Sequence, residues 1–230
     1  MIRLIIASLV VLAGCSAGTT GGENLTATLV SPTDIMLAWH PTDPGAAGQI
    51  VEYASEEKGP YTILGFFPPT QSSYKHPDLI PQMPFYYRIR PYYGVATAPV
   101  EVDLPPGEPD ESTPDDGEWA RPKTIPGNTA PLALVGQPDS APAGLTPTVV
   151  NPNGIKFTWT DRASDEEGFF LEVKASGAPD FTVAAVLDRD VNSVGMTTMP
   201  EEKKAQYRVR AYKYGQATNI AHQTTGGSAR

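Results

Sequence analysis

The 230-residue chain has one cysteine, Cys15, so it cannot form an internal disulfide and its stability must come from its core. The apolar run near its start, residues 4 to 12, falls well short of the roughly 18 residues that a membrane-spanning helix needs. Positive charge is scarce. Lys and Arg number 17 against 26 Asp and Glu, and the formal net charge of −9 repels nucleic acid and anionic headgroups. Basic partners, divalent cations and neutral ligands are compatible with it. The three histidines, His40, His76 and His222, are too scattered for a metal-ligand pattern. No G-x-S-x-G, H-E-x-x-H or phosphate-cradling glycine loop occurs. Glu166 and Glu167 are adjacent carboxylates, but neighbours entering a strand point apart, which argues against an acid/base pair. The chain is therefore expected to be non-catalytic, with no metal and no cofactor.

What is present at the start has the layout of an export signal: Arg3, an apolar core, then small residues before Cys15. The residues Leu12, Ala13, Gly14 and Cys15 resemble the bacterial lipobox. That resemblance implies cleavage after residue 14, lipid on Cys15 and attachment to a membrane. Two or three acyl chains hold durably where one holds weakly. Residue 16 is Ser rather than the Asp that tends to retain enterobacterial lipoproteins at the inner membrane, so the outer membrane of a two-membrane cell envelope is the expected location. Residues 15–24 read as a flexible tether. The sequon "NLT" at 24–26 is not expected to be glycosylated on such a protein.

The chain also repeats itself. "LTATLVSPTDIMLAW" at 25–39 aligns with "LTPTVVNPNGIKFTW" at 145–159, and "YRIRPY" at 87–92 with "YRVRAY" at 207–212, at a constant shift of 120 positions. The expected units are 25–104 and 145–225, followed by a short tail, 226–230. Apolar residues recur with period two between turn residues, so each copy reads as about seven short strands. In the second copy these are 146–150, 155–159, 169–175, 181–187, a weak one at 191–194, 206–212 and 217–224. Ile155, Phe157 and Trp159 alternate with Lys156 and Thr158, which places one face on a core. The expected fold is all-β, a sandwich in each copy.

"WTDRASDEEGFFLEV" at 159–173 resembles the bacterial fibronectin type III signature at Trp159, Glu166, Gly168, Phe169, Leu171 and Glu172, and "YRVRAY" resembles its strand F. The first copy keeps Trp39, Gly48, Val51 and Glu52 but has "HPTDPGAA" in place of the acidic loop. The resemblance implies two immunoglobulin-like (fibronectin type III) β-sandwiches in tandem, with a binding, spacing or scaffolding role. Trp39 and Trp159 are expected to be buried equivalents. The family's tyrosine-corner position reads Phe85 and Ala205, which predicts that its hydroxyl bond is missing.

Between the copies, residues 105–144 read as a long acidic Pro-rich linker, with Glu108, Asp110, Glu111, Asp115, Asp116 and Glu118 among prolines. Acids of this kind bind calcium weakly, but the spacing matches no EF-hand loop. Trp119 and "PLALV" at 131–135 are out of character for a spacer. They read as a docked segment, an extra strand or disorder. Separated in this way, the copies are expected to unfold independently.

The candidate binding surface is aromatic: Tyr92, Tyr93, Tyr212 and Tyr214, where strand F runs into its loop, with Tyr93 and Tyr214 expected to be exposed. The alternative is that Tyr92 and Tyr212 belong to the sheet surface. "GFFPPT" at 65–70 is a second patch, either exposed or core edge. Two roles follow. One is a membrane-anchored interaction or scaffold module for an envelope protein or carbohydrate; the other is a purely structural spacer or assembly subunit.

Overall fold

The computed structural model describes residues 24–40, 43–107 and 117–226. The signal segment, Cys15, the tether up to residue 23, five of the six linker acids and residues 227–230 lie outside the described residues. The first copy runs β1 (Leu25–Ser31), β2 (Asp34–Trp39), β3 (Gly48–Ala54), β4 (Thr62–Phe67), β5 (Ser73–His76), β6 (Pro84–Tyr93) and β7 (Val100–Asp103). Strand β8 (Thr129–Ala133) lies between the copies. The second copy runs β9 (Ala143–Asn151), β10 (Gly154–Ala163), β11 (Gly168–Ala175), β12 (Thr182–Asp188), β13 (Ser193–Thr197), β14 (Lys204–Tyr214) and β15 (Ala221–Thr224). The fold is all-β, as expected. Sheet β1-β2-β5 faces β4-β3-β6 in the first sandwich, and β9-β10-β13 faces β12-β11-β14 in the second. The alternation read in the sequence sets the cores. Ile35, Leu37 and Trp39 of β2 are buried, and so are their equivalents Ile155, Phe157 and Trp159 of β10.

The last strand of each copy leaves its own sandwich. β7 pairs antiparallel with β14, Val100 opposite Tyr207 and Val102 opposite Ala205, and Val102 and Leu104 join the second core. β15 pairs with β6, Ala221 opposite Tyr87 and Gln223 opposite Phe85, and Ala221 joins the first core. The units 25–104 and 145–225 are thus copies in sequence, but each sandwich is closed by a strand of the other. The physical reason lies in a second repeat, "YGVAT" at 93–97 and "YGQAT" at 214–218, at a shift of 121. Rather than turning back as hairpins, these segments stay extended along the opposite strand. Thr97 donates its N–H to Val209 O (2.8 Å) and its hydroxyl accepts from Val209 N (3.2 Å). Thr218 does the same at Ile89, at 2.8 and 3.0 Å. Gly94 (φ +138°) permits the crossing, because a Cβ there would lie 1.9 Å from Ala211 O.

The linker is shorter than its composition predicts. Residues 117–142 lie against the second sandwich: Lys123 N donates to Ser193 O (2.8 Å) and β8 runs parallel to β10. The buried Asn192 side chain bonds Ile125 N (2.6 Å) and Ile125 O (3.1 Å). Trp119 lies over Gly154 and Gly195, where any Cβ would meet the indole within 2.7 Å. The equivalent positions in the first copy are Asp34 and Lys75, which form an ion pair across the same face (3.3 Å). The missing-corner expectation also fails in the second copy. Tyr207, two residues past the expected position, donates its hydroxyl to Glu202 O (3.0 Å), while the equivalent Tyr87 pairs with His76 Nδ1 (3.1 Å).

Candidate functional site

Four candidate tyrosines were expected on a recognition surface; the structure instead brings them together between the copies. The outward faces of β3 and β11 start with Gly48 and Gly168, whose missing side chains make room for the Tyr92 and Tyr212 rings of the neighbouring strands. Ile50, Tyr92, Phe170 and Tyr212 then form a third buried cluster, flanked by Phe66, Val183 and Tyr214. Phe170 stacks on Tyr212 at 3.8 Å and 4° and meets Tyr92 edge-on at 5.0 Å. Tyr92 and Tyr212 are 6% and 5% exposed. Burial pushes the Tyr92 hydroxyl up to about 12.

Tyr93 and Tyr214 are half-buried, not exposed. Strand β6 joins β14 at Tyr93–Lys213 and Tyr92–Tyr214, so one sheet runs through both sandwiches. Tyr93 donates its hydroxyl to Asp43 (2.8 Å), and Tyr214 sits against Tyr212 (4.9 Å) and beneath the Arg90 guanidinium (5.0 Å). The apolar patch at 65–70 divides the same way: Phe67 packs on Trp39, and Phe66 on Phe170 across the seam. A cue for this burial was present in the sequence. The pattern Gly-x-(Ile/Phe)-x-Glu in both copies places an apolar residue and an acid on the face that water would otherwise cover.

On each side of the seam a buried glutamate binds two arginines. Glu52 accepts from Arg88 Nε (2.6 Å) and lies 3.6 Å from Arg90. Glu172 accepts from Arg208 Nε and from Arg210 Nε (2.7 Å) and Nη2 (3.2 Å). Arg210 Nη1 continues to Gly94 O (2.5 Å), tying the second copy to the crossing segment of the first.

Among the described residues, one group has the spacing to hold a metal ion: Asp161, Glu166 and Asp190, with ligand atoms within 4.8 Å of one another. It lies where β10 leads into β11. Asp161 and Glu166 are buried. Burial first, and neighbouring carboxylates second, raise the carboxyl pKa of both. Glu167 points elsewhere and accepts from Tyr214 N (2.5 Å), so the two adjacent glutamates do not act as a pair.

The sign of the raised carboxyl pKa values gives a pH test. A group protonated more readily when folded contributes stability at low pH and loses it as pH rises through its folded pKa. Glu166→Gln removes a charge that is costly at pH 7, so the variant should be more stable there. The gain should shrink as pH falls and vanish below the ordinary glutamate value of 4.5. Urea midpoints of both proteins from pH 7 to pH 4 measure this, and an equal difference at every pH would contradict it.

No protein-family model matches the sequence, and comparison with characterised proteins finds no relative. Among solved structures, the chain is similar to a Fn3-like protein from Clostridium thermocellum, at 25% identity over 29% of this chain and 69% of that one, with a TM-score of 0.27. It is also similar to the fn3 domain of the human collagen α-1(XX) chain, at 22% identity over 34% of this chain and 77% of that one, with a TM-score of 0.27.

Proposed function

We propose that this protein is a lipid-anchored, non-catalytic structural module of the bacterial cell envelope in which two sandwiches act as one body. The seam carries this reading. Aromatic side chains that a recognition loop would turn outward are packed between the copies instead, with Tyr92, Phe170 and Tyr212 at the centre. A module that exchanges strands and continues one sheet through both halves resists bending at the join, which suits a subunit of an assembly. In this reading the lipobox residues 12–15 supply the anchor. The chain enters the folded body beside the crossing segments, where Leu25 is bonded to Asn219, rather than at a far pole. An end-to-end spacer would place its tether at an end.

The anchor is tested directly. Wild-type protein expressed in a bacterial host should partition into detergent and take up a fatty-acid label, and Cys15→Ser should abolish the label and leave the precursor uncut. Unlabelled wild type in the soluble fraction would overturn the anchor. The structural role is tested by Tyr93→Phe, which removes only the hydroxyl that bonds Asp43. Its partners in a native-envelope pull-down should match those of wild type, whereas loss of a partner would favour a binding module.

A further inference from the structure

The two exchanged strands are held by different means. β7 sends Val102 and Leu104 into the second core and adds the Lys204–Asp103 pair (3.4 Å) and the Gln206–Glu101 hydrogen bond (3.1 Å). β15 buries one apolar side chain, Ala221, and is fastened at both ends by polar groups. At one end the Asn219 amide clamps Leu25: Oδ1 accepts from Leu25 N (3.0 Å) and Nδ2 donates to Leu25 O (2.9 Å). At the other, the buried Thr225 hydroxyl donates to Ile80 O (2.6 Å) and accepts from Met83 N (3.0 Å). Between them the first core is crowded with rings, Phe85 against Tyr53, His76 and Tyr87, so the slot admits a methyl group. The second core has Ala205 at the position of Phe85, and there Val100 lies opposite Tyr207 where Ala221 lies opposite Tyr87.

We propose that the first sandwich is a strand-acceptor site, a groove along β6 that recognises an extended peptide by the spaced triplet Asn219, Ala221 and Thr225. The amide holds the backbone of Leu25, the methyl fills the slot and the hydroxyl is buried at the far end. The chain fills the site with its own last strand, and the ligand it fits in trans is the same strand from a second copy of this chain. The triplet also explains why the nearer strand is passed over. At the shift of 121, β7 and its flanks offer Ala98, Val100 and Leu104, which lack the amide, overfill the slot and lack the hydroxyl.

The test uses the full-length chain with Ala221→Asp, which places a charge in the slot and expels the resident strand. A labelled synthetic peptide of residues 215–226 should bind this variant saturably at one site and restore hydrogen-exchange protection to β6. The peptide carrying Asn219→Ala and Thr225→Val loses the four side-chain hydrogen bonds named above and should bind at least about tenfold more weakly, and a peptide of residues 94–105 should not bind. No binding of the native-sequence peptide, or equal binding of the doubly substituted one, overturns the proposal. If Ala221→Asp does not fold, full-length Asn219→Ala/Thr225→Val keeps the slot filled and only loosens the strand. Exchange at β6 amides should then rise at least about tenfold with β11 unchanged, and unchanged exchange at β6 overturns the proposal equally.

Discussion

Trp159→Ala is expected to lower the stability of the whole molecule, the first sandwich included, by about 3–5 kcal/mol. Trp159 is buried in the second core, packed on Phe169 at 5.6 Å, and its truncation leaves a cavity of indole size. Against a typical total of about 5–15 kcal/mol, the loss is large enough to populate unfolded protein. Two couplings should carry it across. When β14 melts, β15 stays joined to the first copy only through a long unfolded chain, and closing that loop again costs entropy. The seam is also lost, which exposes Ile50 and Tyr92. Denaturant unfolding followed by fluorescence should show one transition at a lower midpoint, and hydrogen exchange should rise in β1–β6 as well as in β9–β14. A rise confined to residues 143–214 would show that the sandwiches are independent despite the exchange.

That expectation reverses the independence read from the sequence, and the reason is specific. Strand identity was legible because it is written in local alternation: Ile155, Phe157 and Trp159 mark β10 and its burial without any tertiary knowledge. Strand partnership is not local. Val100 and Ala221 are apolar residues on short strands in either arrangement, and they lie opposite equivalent tyrosines, Tyr207 and Tyr87, so local pattern does not announce the exchange. The tyrosines failed for a related reason. Aromatics beside a strand-F loop look the same whether they face a ligand or another domain, and the sign that something packs over them is the Gly-x-(Ile/Phe)-x-Glu pattern that begins at Gly48 and Gly168. Trp119 was legible as an anomaly but not as a destination, because its seat is made by the absence of side chains at Gly154 and Gly195.

Glu172→Ala should be nearly as damaging as the tryptophan truncation, at about 3–5 kcal/mol, because it strands cations rather than removing an attraction. The Glu172 carboxylate is bonded by Arg208 and Arg210, and the Arg210 side chain is only 9% exposed. A buried guanidinium without its counter-charge pays desolvation with no return, whereas replacing a whole buried ion cluster by apolar groups is often neutral. Glu172→Leu/Arg210→Met should therefore recover much of the loss, with Arg208 left free to turn towards water from its place over Phe181. The first copy supplies the control. Arg88 and Arg90 around Glu52 are 25% and 24% exposed, so both can rehydrate when Glu52 is removed. Glu52→Ala should cost about 1 kcal/mol, on the scale of a partly solvated pair. Urea midpoints of the three variants decide the matter: equal losses for Glu52→Ala and Glu172→Ala would mean that burial of the arginines does not set the cost. A double variant no better than Glu172→Ala would mean that Arg210 is needed for its hydrogen bond to Gly94 O rather than held in place by Glu172.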